Sequence, residues 1–292
     1  MSFRAPPLRK SLGMGRRSRP PGSDHIRKNR RNWERSSNSY ERRHARALRV
    51  AGSESWGLFR IPEARLKLLG EVRGRDVLEV GCGAAMWSIA LARRGAHCTG
   101  IDLSRAHLRH AAENLSRSSA RVGLLEGNAE RLPFPSGQFD LVFCDWGALS
   151  FADPDRSIPE AARVLRVGGR LVFSTAHPLR ALAQSRPTGN MERRLSQPYF
   201  GFERVEWPNE VEFRKTFGGW VALFRENGLE LLEMVEPRAP PRGKTSYLNA
   251  RDHRWARDWP MEAIWKLRRV SSPARVSRGE LPLRSRPEVR PR

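Results

Sequence analysis

Residues 77–87 read VLEVGCGAAMW. An apolar strand carrying a single acid, Glu79, runs into Gly81 and Gly83 and then into helix-forming residues. A strand–turn–helix of this kind points backbone N–H groups and the start of a helix at an anionic group. The glycines allow the close approach of ligand to backbone. At the end of the next apolar stretch, HCTGID (97–102), stands Asp102. An acid about 20 residues after such a turn accepts hydrogen bonds from ribose hydroxyls, so turn and acid together imply an adenosine-type ligand.

From Asp76 onward, strand and helix alternate. DVLEV (76–80), HCTGID (97–102), VGLLEG (122–127), DLVFCD (140–145) and RLVFSTA (170–176) read as strands, with LELLEMV (229–235) and EAIWKLRRV (262–270) closing the domain. Helices are expected from about Ala84 to Arg94, after a Ser104 cap, over 157–165, and after a Thr216 cap. Near-continuous apolar strands between amphipathic helices predict an α/β, doubly wound, mostly parallel seven-stranded sheet of Rossmann-like type. Ligands of such sheets bind outside the C-terminal strand ends, where strand order reverses. Residues 178–215 have no place in the alternation and read as a substrate lid. Upstream, Trp33, Ser37, Tyr40, His44 and Leu48 share one face of a helix placed to cover a strand-end site.

Three features separate the two adenosine-type ligands, a dinucleotide and S-adenosylmethionine. A dinucleotide fingerprint puts its third glycine where Met86 stands. Glu79 lies two residues before the turn, where a pyrophosphate has no use for an acid but a ligand with an ammonium and a sulfonium does. In GNAERLPFPSGQFDLVF (127–143), Asn128 follows a strand and is placed to read an adenine edge, with Leu132 beside the ring.

On these residues the stretch from about 76 to 178 resembles the class I S-adenosylmethionine-dependent methyltransferases, the type 11 group in particular. VLEVGCG, GIDLS (100–104), EGNAERLPF (126–134), FDLVFCDWGAL (139–149) and LRVGGRLVFS (165–174) match their successive motifs. The flanks WGLFRIPE (56–63), FGGWVALFRENG (217–228) and WPMEAIWKLRR (259–269) resemble a branch of small cytoplasmic actinobacterial members, extending the likeness to about 31–270. The resemblance implies S-adenosylmethionine as methyl donor and S-adenosylhomocysteine as product. It implies that Glu79, Gly81 and Gly83 form the cofactor loop, with Glu79 facing the methionyl amine. Asp102 takes the ribose hydroxyls, Leu103 packs by the adenine, and Asn128 with Ala129 stands where the family usually has an aspartate. Asp145 and Trp146 line the path to the methyl group. The family's third glycine position holds Ala85, which is tolerable if that residue is already helical.

Two residues are candidates for catalysis: His177, at a strand end before Pro178, and Asp145, which orients substrate from the neighbouring strand end. No His/Cys/Asp cluster has metal-ligand spacing, so no metal is expected. CDWG (144–147) stands where methyltransferases of exocyclic base amines carry Asn-Pro-Pro-aromatic, which argues against DNA amino-methylation.

The chain has 292 residues and a formal charge of +23. Residues 1–30 carry nine Arg and Lys against one Asp, and 271–292 six Arg against two Glu. Both ends are Pro- and Arg-rich without apolar periodicity and read as basic disordered tails, flanking a helical cap (31–68) and a methyltransferase domain (69–270). The tails lack interleaved aromatics for base stacking, so a nucleic-acid partner is less favoured than a small-molecule acceptor. Cys82, Cys98 and Cys144 have no paired framework and read as reduced thiols of a cytoplasmic protein. No apolar run approaches the ~18 residues of a membrane span, and no membrane partner is expected.

Overall fold

Each apolar run of residues 76–176 becomes a strand of one sheet. The computed structural model describes residues 24–50, 54–242 and 245–270. It opens with α1 (Asp24–Val50), β1 (Ser55–Trp56), β2 (Ile61–Pro62) and α2 (Glu63–Leu66). The alternating core follows as β3 (Asp76–Val80), α3 (Met86–Arg93), β4 (His97–Asp102), α4 (Arg105–Ser116), β5 (Val122–Glu126), β6 (Phe139–Asp145), α5 (Pro154–Val164) and β7 (Leu165–Ala176). Then come α6 (Pro178–Ala183), β8 (Arg204–Glu206), β9 (Val211–Phe213), α7 (Phe217–Glu226), β10 (Leu229–Val235), α8 (Ala250–Trp255) and β11 (Glu262–Arg269).

The seven-stranded sheet has the order β10-β11-β7-β6-β3-β4-β5. β11 runs antiparallel to both neighbours, and the pairings among β3 to β7 are all parallel. This is the expected doubly wound sheet. Chain order reverses between β3 and β6, so the crevice that accepts ligands opens at their C-terminal ends.

Side chains alternate across the sheet and build a core on each face. Leu78, Val80, Val142 and Phe173 pack with Ile158, Trp220 and Phe224 from the α5 and α7 side. Val77, Leu141, Phe143 and Val172 pack with Trp87 and Leu91 of α3 and with Trp56, Leu68, Leu69 and Val72. The segment before the first parallel strand is therefore part of this second core. Glu79 points to the same side as Val77, toward α3. The helix ends read from sequence are present: Ser104 accepts from the His107 N–H, and Thr216 from the Gly219 N–H.

Three boundaries differ from expectation. α1 begins at Asp24, inside the stretch read as a tail, because His25 and Asn29 are buried against the body of the protein. Asn29 donates to the carbonyls of Phe151 and Val211 and accepts from the Val211 N–H. The rest of the tails, 1–23 and 271–292, lies outside the described residues. β7 starts at Leu165, directly after α5, since Leu165 already pairs with Phe139 and the Gly168-Gly169 irregularity falls within the strand. The 178–215 stretch contains α6 and the antiparallel β8–β9 hairpin. Among the described residues no helix is long and apolar enough to cross a membrane.

Candidate active site

A cavity of about 350 Å³ lies at the C-terminal ends of β3, β4 and β6. Its volume is within the roughly 300–1,000 Å³ of small-molecule sites. Glu79, Gly81, Gly83, Asp102, Leu103, Asn128, Ala129, Asp145 and Trp146 all line it. Residues spread over 68 positions of sequence are thus gathered in one place by strand ends.

The turn after β3 is drawn against the loop after β6. Gly81 has φ +77°, and a Cβ there would fall 2.3 Å from the Ala148 nitrogen. Asp102 ties the turn to β4: Oδ2 accepts from the Gly83 N–H at 2.9 Å and Oδ1 from the Ser104 N–H at 2.8 Å. Each oxygen keeps a further lone pair. Burial pushes the Asp102 carboxyl up, opposed by His107 and these backbone donors. Ala85 corrects an expectation. It is the N-cap of α3 with φ 56° and ψ 28°, left-handed and not helical, and is fully buried against Cys82 and Ala111. A left-handed alanine costs about 1–2 kcal/mol.

Glu79 stands behind the turn. Its Oε2 accepts from both the N–H and the hydroxyl of Ser88, in the first turn of α3, at 3.0 and 2.5 Å. Burial raises its carboxyl to about 8, with the neighbouring Asp145 and Asp102 charges adding. Asn128 is turned inward as expected, but its Oδ1 accepts from the Glu130 N–H at 3.0 Å, leaving one lone pair and the amide protons for a ligand. Leu132 belongs to the α5-side core and does not line the cavity.

At the other end, Asp145 Oδ1 accepts from the Gly57 N–H at 2.9 Å and from the Ser174 hydroxyl at 2.7 Å. Burial raises its carboxyl, against the Ser174 and Gly57 donors and Arg60. Trp146 donates its indole N–H to Glu262, 2.5 Å away, while its backbone N–H donates to the Ser174 hydroxyl. Glu262 is fully buried, accepts from the Leu58 N–H, and is raised to about 7 by burial. Gly57, at φ +69°, passes so close that a Cβ would lie 2.3 Å from Glu262. Two carboxylates therefore clamp residues 57–58 across the strand ends and bring Arg60 to the cavity wall.

The roof comes from α1, as its apolar face implied. Trp33 and Tyr40 line the cavity, Trp33 edge-on to Phe151 at 5.2 Å. Tyr247 completes it from a distant segment, stacked on His44 at 4.3 Å, while His44 Nδ1 meets the Ser246 hydroxyl at 2.7 Å. Burial pushes both tyrosine hydroxyls up, so they are neutral donors.

His177 is not in the site. It is buried outside the cavity lining, its Nδ1 caps α6 by accepting from the Leu179 N–H, and its Nε2 donates to Glu236 at 2.7 Å. Both ring nitrogens are engaged, and burial lowers its pKa despite Glu236, which fixes a neutral ring. Of the two catalytic candidates only Asp145 reaches the cavity. Conversely, Arg60, His107, Arg180, Glu212 and Tyr247 line it without having been singled out. His107 alone had a local signal, the first turn of the helix after Asp102.

These residues fit an S-adenosyl ligand. The Gly81 cradle admits no side chain, Glu79 and Asp102 offer carboxylates, and His107 Nδ1 is buried in the cavity wall without a hydrogen-bond partner among the described residues. The family model for a methyltransferase domain matches residues 78–173, the segment that builds the turn and the ends of β4 and β6. A demethylmenaquinone methyltransferase of Listeria monocytogenes serotype 4a (strain HCC23) is 36% identical over 184 residues, 58% of this chain and 76% of that protein. The chain belongs to the class I S-adenosylmethionine-dependent methyltransferases. The methyltransferase shares its fold with a solved S-adenosylmethionine-dependent methyltransferase from Mesorhizobium loti, at TM-score 0.56 and 23% identity, over 70% of this chain and 96% of that one. A second solved structure, a putative S-adenosylmethionine-dependent methyltransferase from Listeria monocytogenes, gives TM-score 0.58 and 20% identity over 71% and 95%.

Proposed function

We propose that this methyltransferase transfers a methyl group to an O, N or C nucleophile of a small-molecule acceptor held beneath α1. The observation that carries the reading is the roof. Trp33 and Tyr40 above, with Tyr247 and Glu212 alongside, line the same cavity as the glycine turn. A nucleic-acid strand would have to displace α1 to reach the strand ends, whereas a small molecule fits beneath it.

In this reading Glu79, Gly81, Gly83, Asp102, Leu103, Asn128 and Ala129 hold the cofactor. Asp102 keeps lone pairs for the ribose hydroxyls, and Glu79 faces the methionyl ammonium. S-adenosylmethionine, when bound, supplies an activated methyl group on a sulfonium. The chain's own part is orientation and exclusion of water. Trp146 forms the wall beyond Asp145, and the hydroxyls of Tyr40 and Tyr247, hydrogen-bonded to each other, leave one proton of the pair to donate to a bound acceptor. Asp145 positions: its oxygen clamps Gly57 and Ser174, and so sets Arg60 and Trp146. Three buried free thiols support a cytoplasmic location.

Isothermal titration with S-adenosylhomocysteine, on the wild type and on Asp102→Ala, tests the cofactor site. Incubation with methyl-labelled cofactor and a fractionated cell extract tests the acceptor. Label is expected in the small-molecule fraction, and label confined to RNA would overturn the acceptor assignment.

A further inference from the structure

Acids outnumber the cationic side chains that line the cavity, yet the Nε atoms of both lining arginines, Arg60 and Arg180, are buried without a hydrogen-bond partner among the described residues. Arg60 bears on Asp145 at long range only, as the smallest of the influences on that carboxyl. Glu212 makes its close ion pair with Arg214, whose Nη2 lies 2.5 Å from Oε2 with both side chains mostly buried. Arg180 has no such pair: its Nε and Nη1 are buried without a hydrogen-bond partner among the described residues. Its guanidinium carbon sits 4.9 Å from the centroid of the Trp146 ring. A guanidinium keeps its proton at any physiological pH, and a buried charge without a partner is strongly unfavourable. Such a group is suited to a partner that arrives from outside.

We propose that Arg180 binds an anionic group, a carboxylate or a phosphate, carried by the methyl acceptor. The inference rests on the small-molecule methyltransferase reading and adds the chemical class of the substrate. Location separates this anion from the cofactor's own carboxylate. The acids that bear on Arg180 are Glu212 of β9, Glu262 of β11 and Asp252 of α8, not Glu79 or Asp102 of the cofactor turn. Glu212 is shared between Arg214, with which it makes the close ion pair, and Arg180, while burial raises Glu262 to about 7. Trp146 lies against Arg180, and Trp33, Tyr40 and Tyr247 supply flat apolar surface elsewhere in the same cavity. The acceptor is accordingly a small apolar or aromatic acid.

The test uses the full-length protein saturated with S-adenosylhomocysteine and three probes: benzoate, phenyl phosphate and benzamide. At least one anion is expected to bind about tenfold or more tighter than benzamide, the range of a charge-assisted hydrogen bond. A preference for benzoate assigns a carboxylate, and a preference for phenyl phosphate assigns a phosphate. Arg180→Gln is expected to abolish the difference and leave the affinity for S-adenosylhomocysteine within about twofold. If glutamine prevents folding, Arg180→Met, which keeps the packing of the stem on Trp146, reads the same loss. Equal binding of benzamide by the wild type, a preference that survives the substitution, or a tenfold loss of S-adenosylhomocysteine binding would each overturn the proposal. Failure of the wild type to bind S-adenosylhomocysteine would instead remove the cofactor-site reading, and this proposal with it.

Discussion

Glu79 and Ser88 are joined twice: one carboxylate oxygen receives both the backbone N–H and the hydroxyl of the serine, nine residues on. The bond fixes the first turn of α3 beside the glycine turn, and burial leaves the carboxyl at about 8 against an ordinary 4.5. A carboxyl raised in the folded state binds more protons there than in the unfolded chain between those two values. Stability without cofactor therefore falls as pH rises from about 4.5 to about 8. Thermal unfolding of the wild type and of Glu79→Gln is expected to show the steeper decline in the wild type, and parallel curves would contradict it.

A cationic cofactor reverses the balance at the same residue by favouring the carboxylate. At pH 7, binding of S-adenosylmethionine is expected to release up to about one proton. Titrations in buffers of different ionisation enthalpy measure this directly, and Glu79→Gln is expected to remove most of the release and weaken binding.

Asp102 joins two strand ends and keeps a further lone pair on each oxygen. Asp102→Ala is expected to reduce affinity for S-adenosylhomocysteine by about 10–100-fold, the loss of charge-assisted hydrogen bonds. It also frees the N–H groups of Gly83 and Ser104, so loosened exchange protection is expected at both amides.

Ala85 holds a conformation that glycine adopts without steric cost. Ala85→Gly is expected to be neutral to stabilising by up to about 1 kcal/mol, with the lost Cβ contact to Cys82 and Ala111 offsetting part of the gain. Denaturant unfolding reads the change, and a destabilisation beyond about 1 kcal/mol would show that packing outweighs strain here.

His177 caps α6 and lies outside the cavity lining. His177→Ala is expected to cost about 1 kcal/mol of stability through the lost cap, and to leave S-adenosylhomocysteine affinity unchanged. His177→Asn, which can accept from the Leu179 N–H, is expected to recover part of that stability.

The strands and their order of use were legible because each is an apolar run ended by a turn residue, and burial on both faces permits little else there. The gathering of Gly81, Gly83, Asp102 and Asn128 at one cavity followed, since all sit where strands stop. The face of α1 was legible through its helical spacing. What could not be read was whatever arrives by a long detour. Arg180, Glu212 and Tyr247 reach the cavity from irregular segments whose course is set by contacts far along the chain, such as Asn29 with Val211 and His44 with Tyr247. His177 misled because a histidine at a strand end is equally good at capping the next helix. Ala85 misled because alanine is the best helix former, and nothing local shows that it caps α3 in the left-handed region.

The roof over the cavity joins two segments some 200 residues apart. α1 is the first described element, and His44 of α1 meets Ser246 and Tyr247 some 200 residues later. During synthesis the glycine turn and Asp102 can form long before the closing segment leaves the ribosome. The enclosed chamber exists only once Tyr247 has emerged. The strand-end turn is thus made early and its cover late, so a chain stopped before Tyr247 is expected to leave the crevice open.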